Sequence, residues 1–247
     1  MSKTRVSLTV NEDLLKRMDA EADHKGLNRS QMFEEVVRNY IHGQEIDTAV
    51  IFCGGDGLRS LREINGKPVL AHVVERLKKN NISRLILLAG ENEEKVRERF
   101  SWGEGLEVEY VSEENPEGTA SALKKLEESI GKTFLAVNGH VIADVDVDDM
   151  LKVHRAEDRT ATIALTTVED PSNYGAVRLK GRKVLGFEEK PEPGEEPTKL
   201  VNAGTYIFEP SIFDELEEKG LDQVFTSLAS RDQLSGYIYG GEWTRAD

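Results

Sequence analysis

Hydrophobic and polar positions along the chain fall into two successive regimes that meet near Gly43-Gln44-Glu45. In the first, Val6, Leu8 and Val10 alternate with Arg5, Ser7 and Thr9, a period of two that predicts a two-faced strand. Asn11 is placed to cap a helix opening at Glu12-Asp13, where acids suit the helix N-terminus. Leu14, Leu15, Met18 and Ala22 form its apolar face, and Gly26 stops it. Asn28 caps a second helix whose buried stripe is Met32, Phe33, Val36, Val37, Tyr40 and Ile41. One strand cannot stand alone, and about forty-five residues are too few for an independent core, so this segment is expected to need a partner.

From Asp47 onward strands and helices alternate. A buried strand over Thr48–Cys53 runs into Gly54-Gly55, followed by a helix over Pro68–Lys79, a strand over Ser83–Leu88 and a helix over Glu93–Phe100. A strand over Leu106–Val111, a helix over Ala120–Ile130, a strand over Phe134–Val137 and a helix over Val147–Arg155 complete the pattern. This order predicts an α/β fold, a doubly wound mixed sheet preceded by a small N-terminal unit. The expected domains are residues 1–44 and 47–247, with Pro191–Pro197 a surface loop inside the second.

Composition narrows the classes. Hydrophobic residues make up 38% and charged residues 32% of the 247, which fits a soluble, well-cored protein. No apolar run approaches the roughly 20 residues a membrane helix needs, and no signal-peptide core follows the first residues, so no membrane partner is expected. The single cysteine, Cys53, suits a reducing cytoplasm. Net charge is −14, of which residues 1–45, with seven basic and eight acidic side chains, carry −1 and the remainder −13. A diffuse basic surface is absent, so any contact with nucleic acid must come from a small site in the first segment.

That first segment resembles the ribbon-helix-helix (CopG/Arc-like) DNA-binding family along its whole length. The features that carry the resemblance are the Arg-x-Ser-x-Thr strand, the two helix lengths and the Gly-Leu-Asn-Arg-Ser turn at 26–30. The resemblance implies a homodimer whose paired strands enter the major groove of double-stranded DNA, with the possibility of higher oligomers. Arg5, Ser7 and Thr9 would then face base edges, while the backbone amides near Asn28, Arg29 and Ser30 grip a phosphate. Alternation alone would favour a merely solvated strand face for Arg5, Ser7 and Thr9; the strand, helix lengths and turn together reverse that.

The second segment resembles the sugar-phosphate nucleotidyltransferases, of the glucose-1-phosphate thymidylyltransferase type, over nearly all of residues 47–247. Pro116-Glu117-Gly118-Thr119-Ala120 is similar to a segment whose backbone meets the nucleotide base. Tyr174-Gly175 stands where the family lies beside the sugar. Phe187-Glu188-Glu189-Lys190-Pro191 matches a motif in which Glu189 would bind sugar hydroxyls and Lys190 the sugar phosphate. Asn202-Ala203-Gly204 leaves room at the sugar pocket. A lysine point charge, a carboxylate acceptor and glycines that admit backbone suit such a ligand.

The departures cluster where catalysis needs precision. Phe134-Leu135-Ala136-Val137-Asn138-Gly139-His140 resembles a strand that in the family ends in Asn-Gly-Asp, the Asp holding Mg2+; here that residue is His140. Mg2+ takes hard oxygen ligands, and imidazole is a poor substitute. The family's second metal Asp follows a Trp in a Trp-x-Asp pattern, whereas Trp243-Thr244-Arg245 places Arg245 there. The phosphate loop Gly54-Gly55-Asp56-Gly57 lacks the family's Thr and is several residues short, with Arg59 standing near the expected lysine. A Zn2+ site of His140 and Cys53 falls short of four ligands.

The sequence therefore leads to the expectation of a DNA-binding transcription regulator. Its second domain would be catalytically inactive and sense a sugar phosphate, nucleotide or nucleotide sugar, with no metal and no cofactor. The ligand residues expected are Gly54, Gly55, Arg59, Gly118, Thr119, Asn138, His140, Tyr174, Gly175, Glu189, Lys190, Asn202 and Gly204. The rival is an active, Mg2+-dependent sugar-1-phosphate nucleotidyltransferase that the first segment only dimerises. A third reading makes the large domain an assembly scaffold.

Overall fold

The computed structural model describes residues 6–42, 46–54, 56–100, 105–112, 118–216 and 220–246. The chain divides into two compact units, Met1–Glu45 and Ile46–Asp247.

The first unit is a helix pair, α1 (Glu12–His24) and α2 (Arg29–His42). Asn11 caps α1 by accepting from the amides of Asp13 and Leu14, at 2.9 and 3.4 Å. Gly26 adopts φ +65° and Leu27 N–H closes back on Ala22 O at 2.9 Å, which ends the helix as expected of a glycine there. Asn28 and Gln31 cap α2 reciprocally: Gln31 N–H donates to Asn28 Oδ1 at 3.0 Å, and Asn28 N–H to Gln31 Oε1 at 2.9 Å. Ala22 and Met32 are buried, whereas Leu14 (56%) and Val36 (44%) are exposed. The strand expected over Val6–Val10 is not formed: the segment is irregular, with Val6 69% and Leu8 59% exposed. A single strand has no ladder partner in one chain, so its backbone bonds await a second.

The second unit holds, in chain order, β1 (Thr48–Phe52), β2 (Glu63–Ile64), β3 (Lys67–Pro68), α3 (Val69–Lys79), β4 (Arg84–Leu88), α4 (Glu93–Arg99), β5 (Glu107–Val111), α5 (Thr119–Lys124), β6 (Phe134–Asn138), β7 (Val141–Ala143), α6 (Val147–Glu157), β8 (Ala161–Thr167), β9 (Gly175–Lys180), β10 (Lys183–Glu189), β11 (Leu200–Phe208), α7 (Leu221–Ser230), β12 (Leu234–Ile238) and β13 (Trp243–Arg245). Nine strands make one mixed sheet in the order β5-β4-β1-β6-β11-β8-β12-β10-β9. β5, β4, β1 and β6 run parallel, and β11 is antiparallel to both β6 and β8. Two apolar clusters, one around Phe134, Phe208 and Phe225 and one around Ile51, Leu70 and Met150, make up the core. β1 is buried along its whole length and β6 up to Val137, as in Val50 and Ile51 or Leu135 and Ala136, hence their continuous apolar runs.

The chain leaves β1 for β4 on one side and returns to β6 on the other, a switch point that opens a crevice at the strand carboxyl ends. Two local departures from the sequence pattern follow from short-range chemistry. The Asn65-Gly66 pair, at φ +53° and +72°, makes the tight turn of a small β2–β3 hairpin. The helix expected over Ala120–Ile130 is the shorter α5, followed by turns through Ser129. No described helix is long and apolar enough to cross a membrane.

Candidate ligand and nucleic-acid sites

At the carboxyl edge, β1 and β6 meet closely. Gly139 N–H donates to Phe52 O at 2.9 Å, and a Cβ on Gly139 would lie 3.0 Å from that oxygen and 3.1 Å from Cys53 Sγ. Gly54 packs by its amide on Leu88 O at 2.9 Å. Cys53 is buried, and desolvation pushes its thiol well above the ordinary range. That disfavours the thiolate a soft metal would need.

Asn138 ends β6 beside Gly204 of β11. Gly204 sits at φ +76°, and the position of its absent Cβ is 2.6 Å from Asn138 Nδ2, so any side chain there is strained and displaces Asn138. Gly204 N–H donates to Asn202 Oδ1 at 2.9 Å, and Asn202 Nδ2 donates to the Tyr206 hydroxyl at 2.9 Å. The Tyr206 hydroxyl, pushed up to about 12 by burial, also meets the Asn138 side chain. The two asparagines are therefore tied to one another through a buried tyrosine. Sequence reasoning missed Tyr206 because an apolar strand position carries no local mark of a polar partner four residues away across a bulge.

The sugar-side motifs converge at β9, β10 and β13. Glu189 faces Gly175 across the β9–β10 ladder, and a Cβ on Gly175 would be 3.0 Å from Glu189 Oε2 and 2.3 Å from the Phe187 ring. Desolvation raises the Glu189 carboxyl, opposed by the charges of Lys190 and Arg245. Lys190, at φ +49°, returns its amide to Tyr174 O at 2.9 Å. The Tyr174 ring meets Trp243 edge-on, with centroids 5.4 Å apart, and carries the Arg245 guanidinium 4.3 Å from its own centroid. Arg245 also donates to Asn173 O at 3.1 Å, and Trp243 Nε1 to Ala203 O at 3.2 Å.

β13 pairs antiparallel with β7, setting Arg245 opposite Val141, and Ala246 N–H donates to His140 O at 3.0 Å. The ladder thus brings the backbones of His140 and Arg245, far apart in sequence, to the same junction, His140 opposite Ala246 and Arg245 opposite Val141, and both residues are half-buried. An imidazole and a guanidinium do not make a Mg2+ site, since the ion takes hard, anionic oxygens and a guanidinium never deprotonates. Among the described residues no group of three His, Cys, Asp or Glu converges in a way that could hold a metal.

Other expected residues lie on other elements. Arg59 is exposed on a short 3-10 turn at Asp56–Leu61. Gly118, at φ +117°, and Thr119 open α5, both exposed. Gly55 and Arg5 lie outside the described residues. In the first unit Ser7 and Thr9 are exposed, as is Ser30 at the start of α2. Arg29 is held by a forked ion pair with Asp19, at 2.7 and 2.6 Å, and the Asn28 side chain is spent on its cap.

The mixed α/β sheet with a crevice at its carboxyl edge defines a nucleotide-diphospho-sugar transferase-like protein carrying a second, helical unit. The family described as Nucleotidyl transferase matches residues 48–237, and the chain belongs to it. Residues 4–42 match the ribbon-helix-helix protein, copG family. A bifunctional protein GlmU from Methanococcus maripaludis is 31% identical over 214 residues, covering 79% of this chain and 50% of its own. A mannose-1-phosphate guanylyltransferase catalytic subunit beta from Danio rerio is 32% identical over 216 residues, covering 79% and 59%. The chain thus spans about half the length of the curated relatives it matches. Among solved structures, a putative glucose-1-phosphate thymidylyltransferase from Bacillus anthracis shares the fold, with TM-score 0.72 and 23% identity over 81% of this chain and 89% of that one. A UDP-glucose pyrophosphorylase complexed with UDP-glucose does likewise, with TM-score 0.71 and 19% identity over 80% and 92%.

Proposed function

We propose that the chain is a homodimeric, DNA-binding transcription regulator whose nucleotidyltransferase-like domain is catalytically inactive and senses a sugar phosphate, nucleotide or nucleotide sugar. The observation that carries this reading is that His140, just ahead of β7, and Arg245, on the β13 strand paired with it, occupy the two positions where the family resemblance expects acids. Phosphoryl transfer rests on charge neutralisation by metal and on positioning of the phosphates. With neither acid present, binding persists and turnover does not. Glu189, Lys190, Tyr174 and Gly175 converge beside Arg245 and supply the sugar-binding half. A sensor controls DNA affinity only if its ligand favours one arrangement of the two ribbon-bearing subunits over another.

The relative named as a mannose-1-phosphate guanylyltransferase catalytic subunit favours a second reading, an active transferase with an N-terminal dimerisation module. One experiment separates the two. Melting temperature is followed against nucleoside triphosphates, sugar 1-phosphates and nucleotide sugars, with and without Mg2+, alongside an assay for released pyrophosphate. A ligand at a hundredfold its Kd stabilises the folded state by about 2.7 kcal/mol. A metal-independent shift without pyrophosphate is the expected result. A Mg2+-dependent shift with pyrophosphate release would establish the transferase instead.

A further inference from the structure

We infer that the junction of β7 and β13 is a metal-free subsite for a phosphate-class anion, with Arg245 as its cation. The inference deepens the sensor reading and rests on it for the natural ligand. The charge is built in rather than recruited.

The segment carrying Arg245 is anchored on four sides. Glu242 pairs with Arg76 of α3 at 3.0 Å, and its carbonyl accepts from Asp144 N–H at 2.9 Å. Trp243 donates to Ala203 O, and Ala246 to His140 O. The guanidinium itself is oriented by the Tyr174 face and by Asn173 O at 3.1 Å. It is set before any ligand arrives, which removes an ordering cost from binding. A guanidinium presents a planar fork of donors that matches phosphate oxygens two at a time.

A fixed cation at this place has a second effect. A divalent ion brought in with a polyphosphate meets like charge, whereas a phosphate monoester or a nucleotide-sugar diphosphate arrives with its negative charge uncompensated. The subsite therefore prefers metal-free phosphates to metal-complexed triphosphates. Arg245 lies on the Tyr174 face, Tyr174 O accepts from Lys190 N–H, and the Arg245 charge is felt by Glu189, so the anion subsite stands near the carboxylate expected to accept hydroxyls. A phosphate esterified to a sugar joins the two chemistries.

Inorganic pyrophosphate is the probe, titrated by calorimetry into the full chain in EDTA and again in Mg2+. Binding is expected in EDTA, no tighter in Mg2+, and weakened roughly tenfold to a hundredfold by Arg245→Gln, the range for hydrogen bonds to charged groups. Arg245→Lys retains part of the affinity, and near-ultraviolet circular dichroism reports that both variants keep the fold. In parallel, the wild-type chain leaves the electron paramagnetic resonance signal of free Mn2+ undiminished. The inference is overturned if pyrophosphate binds only with Mg2+, fails to bind at millimolar concentration, binds Arg245→Gln as tightly as wild type, or if the wild-type chain sequesters Mn2+. Failure of the sensor reading looks different: pyrophosphate binds in EDTA while no nucleotide, sugar phosphate or nucleotide sugar does.

Discussion

Gly204 carries two constraints that separate cleanly by substitution. Its φ of +76° disfavours any side chain, and its missing Cβ is 2.6 Å from Asn138 Nδ2. Gly66, at φ +72°, has the same backbone constraint with nothing within 4 Å of the Cβ position. Alanine at Gly66 should therefore cost only the backbone strain, about 1–3 kcal/mol. Alanine at Gly204 should cost that and more, because Asn138 must leave and take its contact with the Tyr206 hydroxyl with it. At about 2–4 °C per kcal/mol for a unit of this size, the two melting temperatures should be resolvable. Equal shifts for the two variants would show that Asn138 yields without penalty and that the network around Tyr206 is loose. The motif Asn202-Ala203-Gly204 was legible in the sequence, but its physical reason was not. Only the β6–β11 register reveals that the glycine makes room for an asparagine of the protein itself.

Between elements, the buried imidazole of His154 ties together parts of the sheet remote from the ligand edge. Its Nδ1 meets Thr162 Oγ1 of β8 at 2.8 Å and its Nε2 meets Glu209 Oε1, just past β11, at 3.0 Å. Glu209 also accepts from Thr133 Oγ1 ahead of β6 at 2.9 Å. These partners, His154 foremost, hold the Glu209 carboxyl below its ordinary range. A depressed carboxylate stabilises the fold above the unfolded-state value and loses that contribution as pH falls through the ordinary carboxylate range and below. The urea midpoint of the wild-type chain should therefore fall faster with acidification than that of Glu209→Gln, and the difference between the two curves isolates this group from the other acids. Parallel curves would mean the network contributes no pH dependence. Element existence was largely legible: both helix caps in the first unit, Asn11 and Asn28, stand where the sequence places them. Asn65-Gly66 is the local mark of the β2–β3 hairpin, but two-residue strands carry too little period to be read beside it. The docking of β13 on β7 was not, because three residues carry too little period to announce a strand, and their partner lies a hundred residues earlier.

At the scale of the molecule, the first unit leaves Val6, Leu8, Leu14 and Val36 exposed, and a segment this short buries too little apolar surface on its own for a stable core. A second copy that pairs its own residues 6–10 would cover it and complete a two-stranded ribbon. Leu8→Asp should convert a dimer into a monomer in sedimentation experiments, and a dimer that survives the change would place the interface elsewhere. The charge balance then bears on how such a dimer meets DNA. Residues 1–45 carry a net −1 and the rest of the chain −13, so long-range attraction is weak. Of the described basic side chains, Lys16 pairs with Glu12, Lys25 with Glu35, and Arg29 with Asp19 through two bonds. An arginine held in this way is unavailable to a phosphate until the pair opens. Asp19→Asn should release it at little loss of stability, since the pair is solvent-exposed. Each phosphate neutralised steepens the dependence of log K on log salt by about 0.9. Binding of Asp19→Asn to double-stranded DNA should therefore be tighter at low salt and steeper by about 0.9 per engaged arginine, with Asp19→Asn/Arg29→Ala returning to the shallow wild-type slope. An unchanged slope in Asp19→Asn would mean that Arg29 never reaches the backbone, leaving the amides that open α2 and the ribbon as the whole of the contact.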